Sequence, residues 1–295
     1  MQDKIIVGTR GSALALKQTN MVIEVLKKSL VNIEFEIKII TTTGDRILDK
    51  SLDKIGGKGL FVLEIEKALR DKAIDIAVHS MKDIPAFVDK DFEISPLFRR
   101  EDPRDVLISK DNVKFFELPK GSIIGTSSLR RIVQLKNLRS DLSYVPIRGN
   151  IDSRIKKIAS GEVQGIILAA AGLNRMGWMN KIAEYFKTED IIPAVGQGAL
   201  CIEYRANDGF IKKIVEGQNE NNEIRDILAE RSFLEAVNGS CSIAMGAFGE
   251  INGEELVLKG FYSENPEEKF IVKEVKGKVI DYESLGKILA SELKK

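Results

Sequence analysis

The sequence predicts two α/β domains followed by a smaller α+β domain with an antiparallel sheet. Three observations carry this expectation. Short apolar runs alternate with amphipathic helical segments over roughly the first two-thirds of the chain. The ends of those runs carry clusters of Gly, hydroxyl and basic residues. The last part of the chain switches to strand-like alternation interrupted by turn signals. The length of 295 residues suits about two or three domains of ~100–150 residues each.

In chain order, KIIVGTR reads as a strand, Leu14 to Leu30 as an amphipathic helix and EFEIKII as a second strand. GLFVLEIEKALRDK then reads as a helix and IDIAVHS as a third strand, an alternation that implies a parallel sheet with covering helices. A second series starts near Arg104. VLISK, SIIGTSS, YVPIRGN and GIILAAAG read as strands, with helices over Leu129 to Asn137 and Ile151 to Ser160. GALCIEYR is a further strand after the Gly-rich segment PAVGQG. Asn222 to Val237 fits a helix. AMGAFGEI, ELVLKGFYS and KFIVKEVKG, separated by NGEE and ENPEE, fit an antiparallel meander, and Tyr282 to Lys294 a last helix. The expected domains are 1–98 with 199–216, then 104–193, then 220–295. Phe98 to Arg104 and Pro193 to Gly198 are the expected hinges.

Composition narrows the function. The 45 basic and 44 acidic residues nearly cancel to a net charge of +1, which argues against a general nucleic-acid or membrane-surface binder. No apolar run approaches the ~20 residues of a membrane span. The start of the chain has no signal-peptide core, so a cytoplasmic protein is expected. Cys201 and Cys241 have no metal-ligand spacing and read as free thiols. His79 is the single histidine, which excludes a multi-histidine metal centre.

Chemistry concentrates at the ends of the expected strands. AVHSMKDIP places His79, Ser80, Lys82 and Asp83 directly after a buried run. Asp83 could transfer protons or stabilise a cation, or serve as a turn residue before Pro85; His79 could be a hydrogen-bonded residue at the sheet edge. GTRGS, GGKGLF, GTSSLRR and RGNIDSR set Arg10, Lys58, Arg130, Arg131, Arg148 and Arg154 among Gly and hydroxyl residues. Helix starts and bidentate arginines favour carboxylate or phosphate, and no P-loop is present. Cys241, in VNGSCSIAMGAFG, follows a helix through a turn and is either a reactive thiol or a small buried residue. Cys201 lies inside a strand pattern and reads as buried.

Together these segments resemble the porphobilinogen deaminase family over nearly the whole chain. The matching pieces, in order, are GTRGSALALKQT, TTTGD, GGKGLFVLEIEKAL, DIAVHSMKDIP, REDPRDVLIS, GTSSLRR, IRGNIDSR, ILAAAGLNRMG, PAVGQGAL and NGSCSIAMGAF. The resemblance implies two domains like a type II periplasmic binding protein plus a third, cysteine-bearing domain. It implies a cytoplasmic monomer that takes porphobilinogen as its small-molecule substrate, with neither nucleic acid nor membrane as a partner. Four porphobilinogen molecules would be joined head to tail with release of ammonia, and hydroxymethylbilane released by hydrolysis. The chain would grow on a dipyrromethane cofactor attached by a thioether to Cys241.

By the same resemblance, Asp83 is the catalytic residue: it meets pyrrole N–H groups and stabilises the cationic azafulvene left when ammonia departs. Lys58, Ser80, Lys82, Asp83, Thr126, Ser128, Arg130, Arg131, Arg148 and Gly172 are implied around the cofactor. Arg10, Ser12, Lys54, Arg148, Arg154, Arg175 and Gln197 are implied around the substrate. The segment from Asp45 through Gly57 has a loop composition and is a candidate lid. Departures from the family pattern are Ser240 before the cysteine, Ala244 where proline is common, and Tyr204 in the strand GALCIEYR. Two other readings stand beside this one. One is a non-catalytic anion-binding protein with the same two-domain hinge; the other is a thiol-dependent transferase acting on a different acidic substrate.

Overall fold

The computed structural model describes residues 3–30, 32–46, 62–97, 100–218, 224–239, 243–264 and 270–294. Lys54, Lys58, the candidate lid beyond residue 46, Ser240 and Cys241 lie outside the described residues. The chain divides into two compact units. One comprises Met1–Ile47, Gly57–Arg100 and Ala199–Ile224; the other comprises Leu48–Gly56, Glu101–Gly198 and Arg225–Lys295.

The elements follow in chain order. They begin with β1 (Lys4–Thr9), α1 (Ala13–Ser29), β2 (Glu34–Ile39), α2 (Thr43–Arg46), α3 (Leu63–Arg70), β3 (Ile76–Ser80) and β4 (Phe92–Leu97). Next come β5 (Asp105–Ser109), β6 (Ile123–Gly125), α4 (Leu129–Leu138), β7 (Ser143–Val145), α5 (Ile151–Ala159), β8 (Gly165–Ala169), α6 (Ala170–Met176) and β9 (Glu184–Tyr185). The chain continues through β10 (Leu200–Arg205), α7 (Gly209–Glu216), α8 (Arg225–Ala236), β11 (Ala244–Asn252), β12 (Glu255–Ser263), β13 (Ile271–Lys278) and α9 (Tyr282–Leu293).

In the first unit the sheet order is β2-β1-β3-β10-β4. β1 runs parallel to β2 and β3, as the alternation implies, whereas β10 lies antiparallel between β3 and β4. The sheet is therefore mixed rather than purely parallel, because its fourth strand arrives from a distant part of the chain. β4 is absent from the sequence expectation. It contains Pro96, which has no N–H for a ladder, and it sits at the sheet edge where that loss is tolerated. β3 is internal, so His79 stands inside the sheet and not at its edge.

α1 forms because Ser12 caps it, accepting from the Ala15 N–H at 3.2 Å, while Lys27 and Lys28 face the negative end of the helix. Its Val22, Ile23 and Leu26 pack on Ile5, Val7, Ile76 and Val78. Each such fully buried side chain contributes about 1.5–3 kcal/mol. α3 covers the other face with Ile65 and Leu69 against Ile74, Ala77 and Phe92.

In the second unit the sheet order is β7-β6-β8-β5-β9. β6 is parallel to β7 and β8; β5 is antiparallel to β8 with Asp105 opposite Ala169. Both sheets thus have one antiparallel strand next to an edge strand. The same unit holds the antiparallel sheet β11-β12-β13. The expected NGEE turn closes β11 onto β12, with Asn252 opposite Glu255 and Gly253 at φ +65°. This fold class, two α/β sheets plus a small α+β portion, is the one expected.

α8 and α9 cover the antiparallel sheet, packing Phe233, Leu285 and Leu289 on Leu258 of β12. They approach closely at Gly286, where an added Cβ would lie 2.5 Å from the Ala229 carbonyl oxygen and 2.7 Å from the Phe233 nitrogen. These contacts are α8 backbone together with the Ser232 Cβ at 2.7 Å, so no flexible side-chain end is there to yield. Gly286→Ala is expected to cost about 1–3 kcal/mol of stability; an unchanged urea midpoint would show that the helices can part freely.

Candidate active site

Parallel strands of one sheet end at the same edge, and ligand-binding loops of α/β folds gather there. In the first unit β1 ends at Thr9 and β3 at Ser80, side by side. Arg10 to Ser12 leads from β1 into α1, and a tight helical turn, Met81–Asp83, follows β3. Arg10, Ala15, Gln18, Val62, Val78, His79, Ser80 and Asp83 line a small cavity at this edge. Asp83 is exposed, and its carboxylate has no ion-pair or hydrogen-bond partner among the described residues. Lys82 is exposed beside it.

The groups behind Asp83 are held in place. Gln18 donates from Nε2 to the Ser80 hydroxyl at 3.0 Å. The Arg10 guanidinium forms an ion pair with Asp45, its Nε donating to Oδ1 at 3.1 Å. Burial would raise the Asp45 carboxyl, but hydrogen bonds from Arg10 and Thr42 outweigh that and hold it below its ordinary value. The Ser12 hydroxyl is engaged as the α1 cap.

The second unit gathers the other expected residues around the corresponding edge of its sheet. Asp105 is fully buried at the start of β5. Arg130 Nη1 lies 2.7 Å from its Oδ2; Arg131 Nη2 and Gln197 Nε2 donate to its Oδ1 at 2.7 and 2.9 Å. Arg130 also donates to the Ile192 carbonyl and Arg131 to that of Ile167. These two arginines are therefore held by an internal carboxylate and backbone carbonyls rather than standing as solvated charge. Gln197 further donates to the Pro103 carbonyl at 2.7 Å.

Burial alone would raise the Asp105 carboxyl; the two guanidiniums overcome it and hold the group far below the ordinary carboxylate range. A folded-state depression stabilises the protein at pH values above the unfolded value of about 3.9 and is lost as pH falls below it. Asp105→Asn leaves two buried cations with a neutral partner and is expected to cost about 3–5 kcal/mol at pH 7. The gap to wild type, read by urea unfolding, should narrow as pH is lowered below about 4. A gap independent of pH would contradict this account.

Thr126 is buried and its hydroxyl accepts from the Ser128 N–H at 3.3 Å. Neither Ser128 nor Asn150 uses its side chain to cap the helix it begins, α4 or α5. Arg154 donates from Nε to the Gly149 carbonyl at 2.8 Å, and Arg148 is half-buried in the same loop. Gly172 is buried in α6. Arg175 Nη2 donates to the Gly198 carbonyl at 2.6 Å, and its Nε is buried without a hydrogen-bond partner among the described residues. Burial lowers the Arg175 guanidinium from its ordinary value, opposed by Glu101.

Three residues of these networks escape a sequence reading aimed at strand ends. Gln18 interrupts the apolar i, i+4 series Leu14, Val22, Leu26 of α1, which is its only sequence signal. Glu203 interrupts the apolar strand LCIEYR in the same way, and pairs with His79 at 2.9 Å. Asp105 looks like an ordinary loop acid before VLIS; only the fold brings it to Arg130 and Arg131. Among the described residues no helix is long and apolar enough to cross a membrane.

Comparison with known proteins follows the same lines. Residues 5–213 match the family described as porphobilinogen deaminase, dipyromethane cofactor binding domain, and residues 224–295 match its C-terminal domain. A protein of Clostridioides difficile named porphobilinogen deaminase is 50% identical over 97% of this chain and 95% of its own. One of Alkaliphilus metalliredigens with the same name is 47% identical over 96% of this chain and 89% of its own. Among solved structures, a probable amino-acid ABC transporter extracellular-binding protein from Bacillus subtilis aligns with 13% identity and a TM-score of 0.46, covering 74% of this chain and 90% of that one.

Proposed function

The chain belongs to the porphobilinogen deaminase family, and we propose that it joins four porphobilinogen molecules head to tail, with Asp83 as the catalytic carboxylate. Each step breaks the aminomethyl C–N bond and releases ammonia, leaving positive charge on the methylene-pyrrole. The product is hydroxymethylbilane, released by hydrolysis. One observation supports the role of Asp83 above others: it is a carboxylate without a partner among the described residues, at a cavity edge otherwise supplied with donors from Arg10, Gln18 and Ser80. A fixed negative charge at the point where cationic charge develops lowers the barrier without reorganisation. The same carboxylate accepts hydrogen bonds from pyrrole N–H groups and orients the ring.

The residues of this chain suit a dipyrromethane cofactor, a group that carries carboxylate side chains. The starts of α4 and α5 have backbone N–H groups without side-chain caps, and Arg175 keeps a buried Nε donor unpartnered among the described residues. Ser128, Arg148 and Arg154 stand at these helix starts. When bound, dipyrromethane supplies the pyrrole carbon to which the first substrate is joined. Cys241 is its point of attachment on this reading. Cys201 does not suit that role, because it is fully buried in β10 with its thiol against the His79 carbonyl.

Thr126, Ser128, Arg130, Arg131, Arg148 and Gly172, with Ser80 and Lys82, hold the cofactor on this reading; Arg10, Ser12, Arg154, Arg175 and Gln197 serve the substrate carboxylates. Lys58 and Lys54 complete these two sets. Residues 220–295, of which 225–295 belong to the second unit, act as a third domain that carries Cys241, and the protein works as a cytoplasmic monomer. Incubation with porphobilinogen is the test. One ammonia released per porphobilinogen consumed, with a linear tetrapyrrole as product, is the expected result. Binding without consumption would favour an anion-binding protein instead.

A further inference from the structure

We propose that His79 and Glu203 form a positioning pair that holds the Asp83 turn in register, an inference that rests on the function proposed above. His79 Nε2 and Glu203 Oε2 are 2.9 Å apart, with 7% and 1% of the two residues exposed. His79 is the only histidine of the chain. In the β3–β10 ladder His79 stands opposite Cys201 and Glu203 opposite Ala77, so the link runs diagonally across two antiparallel strands. The same ladder continues into the catalytic turn. Ser80 faces Leu200, the Met81 N–H donates to the Ala199 carbonyl at 3.0 Å, and the Ile84 N–H closes the turn on Met81 at 3.1 Å.

Stability alone does not call for this pair. Burying a carboxylate costs several kcal/mol, and apolar residues of similar volume often serve a core as well or better. The surrounding sheet is apolar, with Ile76, Val78 and Ile202 all buried. What a polar pair adds is selectivity among alignments. A strand shifted by two residues keeps its apolar face inward but leaves Glu203 buried without a partner. The pair therefore penalises the shifts that would carry Ala199 away from the Met81 N–H and displace Asp83.

A second carboxyl group stands near Glu203. Glu66, facing it from α3, is raised above its ordinary value first by burial, then by Glu203 and by Asp89; Arg70 and His79 oppose this. Neither His79 nor Glu203 needs to touch the reacting atoms. Their effect passes through the backbone of residues 80–83, where a displacement of about 1 Å can cost about 10²-fold in rate.

The test compares three full-length variants with wild type on porphobilinogen. Glu203→Gln keeps an acceptor for the imidazole N–H and should retain kcat. The double variant His79→Leu/Glu203→Leu fills the space with apolar groups and should keep its thermal midpoint. Its kcat should fall about 10-fold to 10²-fold, with KM for porphobilinogen within about twofold of wild type, since the substrate-binding side chains are untouched. Glu203→Leu alone should lose both kcat and stability. A folded double variant with wild-type kcat overturns the proposal. So does a Glu203→Gln variant as slow as Glu203→Leu, which also decides the matter if the double variant does not fold. Wild-type protein that fails to consume porphobilinogen refutes the functional reading and not the pair.

Discussion

Asp83→Asn is expected to lower turnover of porphobilinogen by about 10²–10³-fold, the loss that follows when one pre-placed electrostatic group is removed from a developing charge. Asparagine keeps the size and the acceptor oxygen of the side chain and removes only the charge. Since Asp83 is exposed and has no structural partner among the described residues, the variant should unfold within about 0.5 kcal/mol of wild type. Single-turnover ammonia release and urea unfolding, measured on one preparation, check both halves. Near-normal turnover would remove Asp83 from the chemistry. A large fall in stability would show that its carboxylate is structural.

Cys241→Ser is expected to abolish turnover altogether and to remove a covalent adduct. A thioether needs a sulfur nucleophile; thiols reach the anionic form near neutral pH and a serine hydroxyl does not. Intact-mass measurement of wild type, made in cells that supply porphobilinogen, should exceed the sequence mass by one dipyrromethane. The Cys241→Ser protein should sit at the sequence mass, and Cys201→Ser should keep the adduct. An unmodified wild-type chain would sink the assignment, and an adduct that persists in Cys241→Ser would move it elsewhere.

How much of this was legible beforehand follows the range of the physics involved. β1, α1, β3 and the β11–β12 hairpin are written in local periodicity, a Ser cap and a turn glycine, so they appear where expected. Residues 199–216 were expected with the first domain, but the antiparallel place of β10 between β3 and β4 was not legible. It pairs with β3 across roughly 120 residues of sequence, and no local pattern states that an antiparallel strand will enter between two others. β4 escaped because Pro96 breaks the strand signal that an edge position forgives.

The candidate site divides in the same way. Its strand-end position, its basic loops and Asp83 follow from residue types after apolar runs, whereas the roles given to them came from resemblance to a family. The partners of those residues are a tertiary property. Asp45 beneath Arg10, Asp105 beneath Arg130 and Arg131, and Glu203 beside His79 are ordinary acids in a linear reading. They stand behind the arginines and the histidine and pair with them.

The burial of Cys201 makes the protein its own occupancy gauge. The chain has two sulfhydryl positions, and β10 shuts one of them away from solution. Because burial in the folded protein keeps Cys201 underivatised, a thiol reagent in denaturant should count one group per chain when position 241 is derivatised and two when it is not. A colorimetric titration then reads the loaded fraction of any preparation, and the same count before and after substrate turnover tells whether the primer stays on the protein when product leaves.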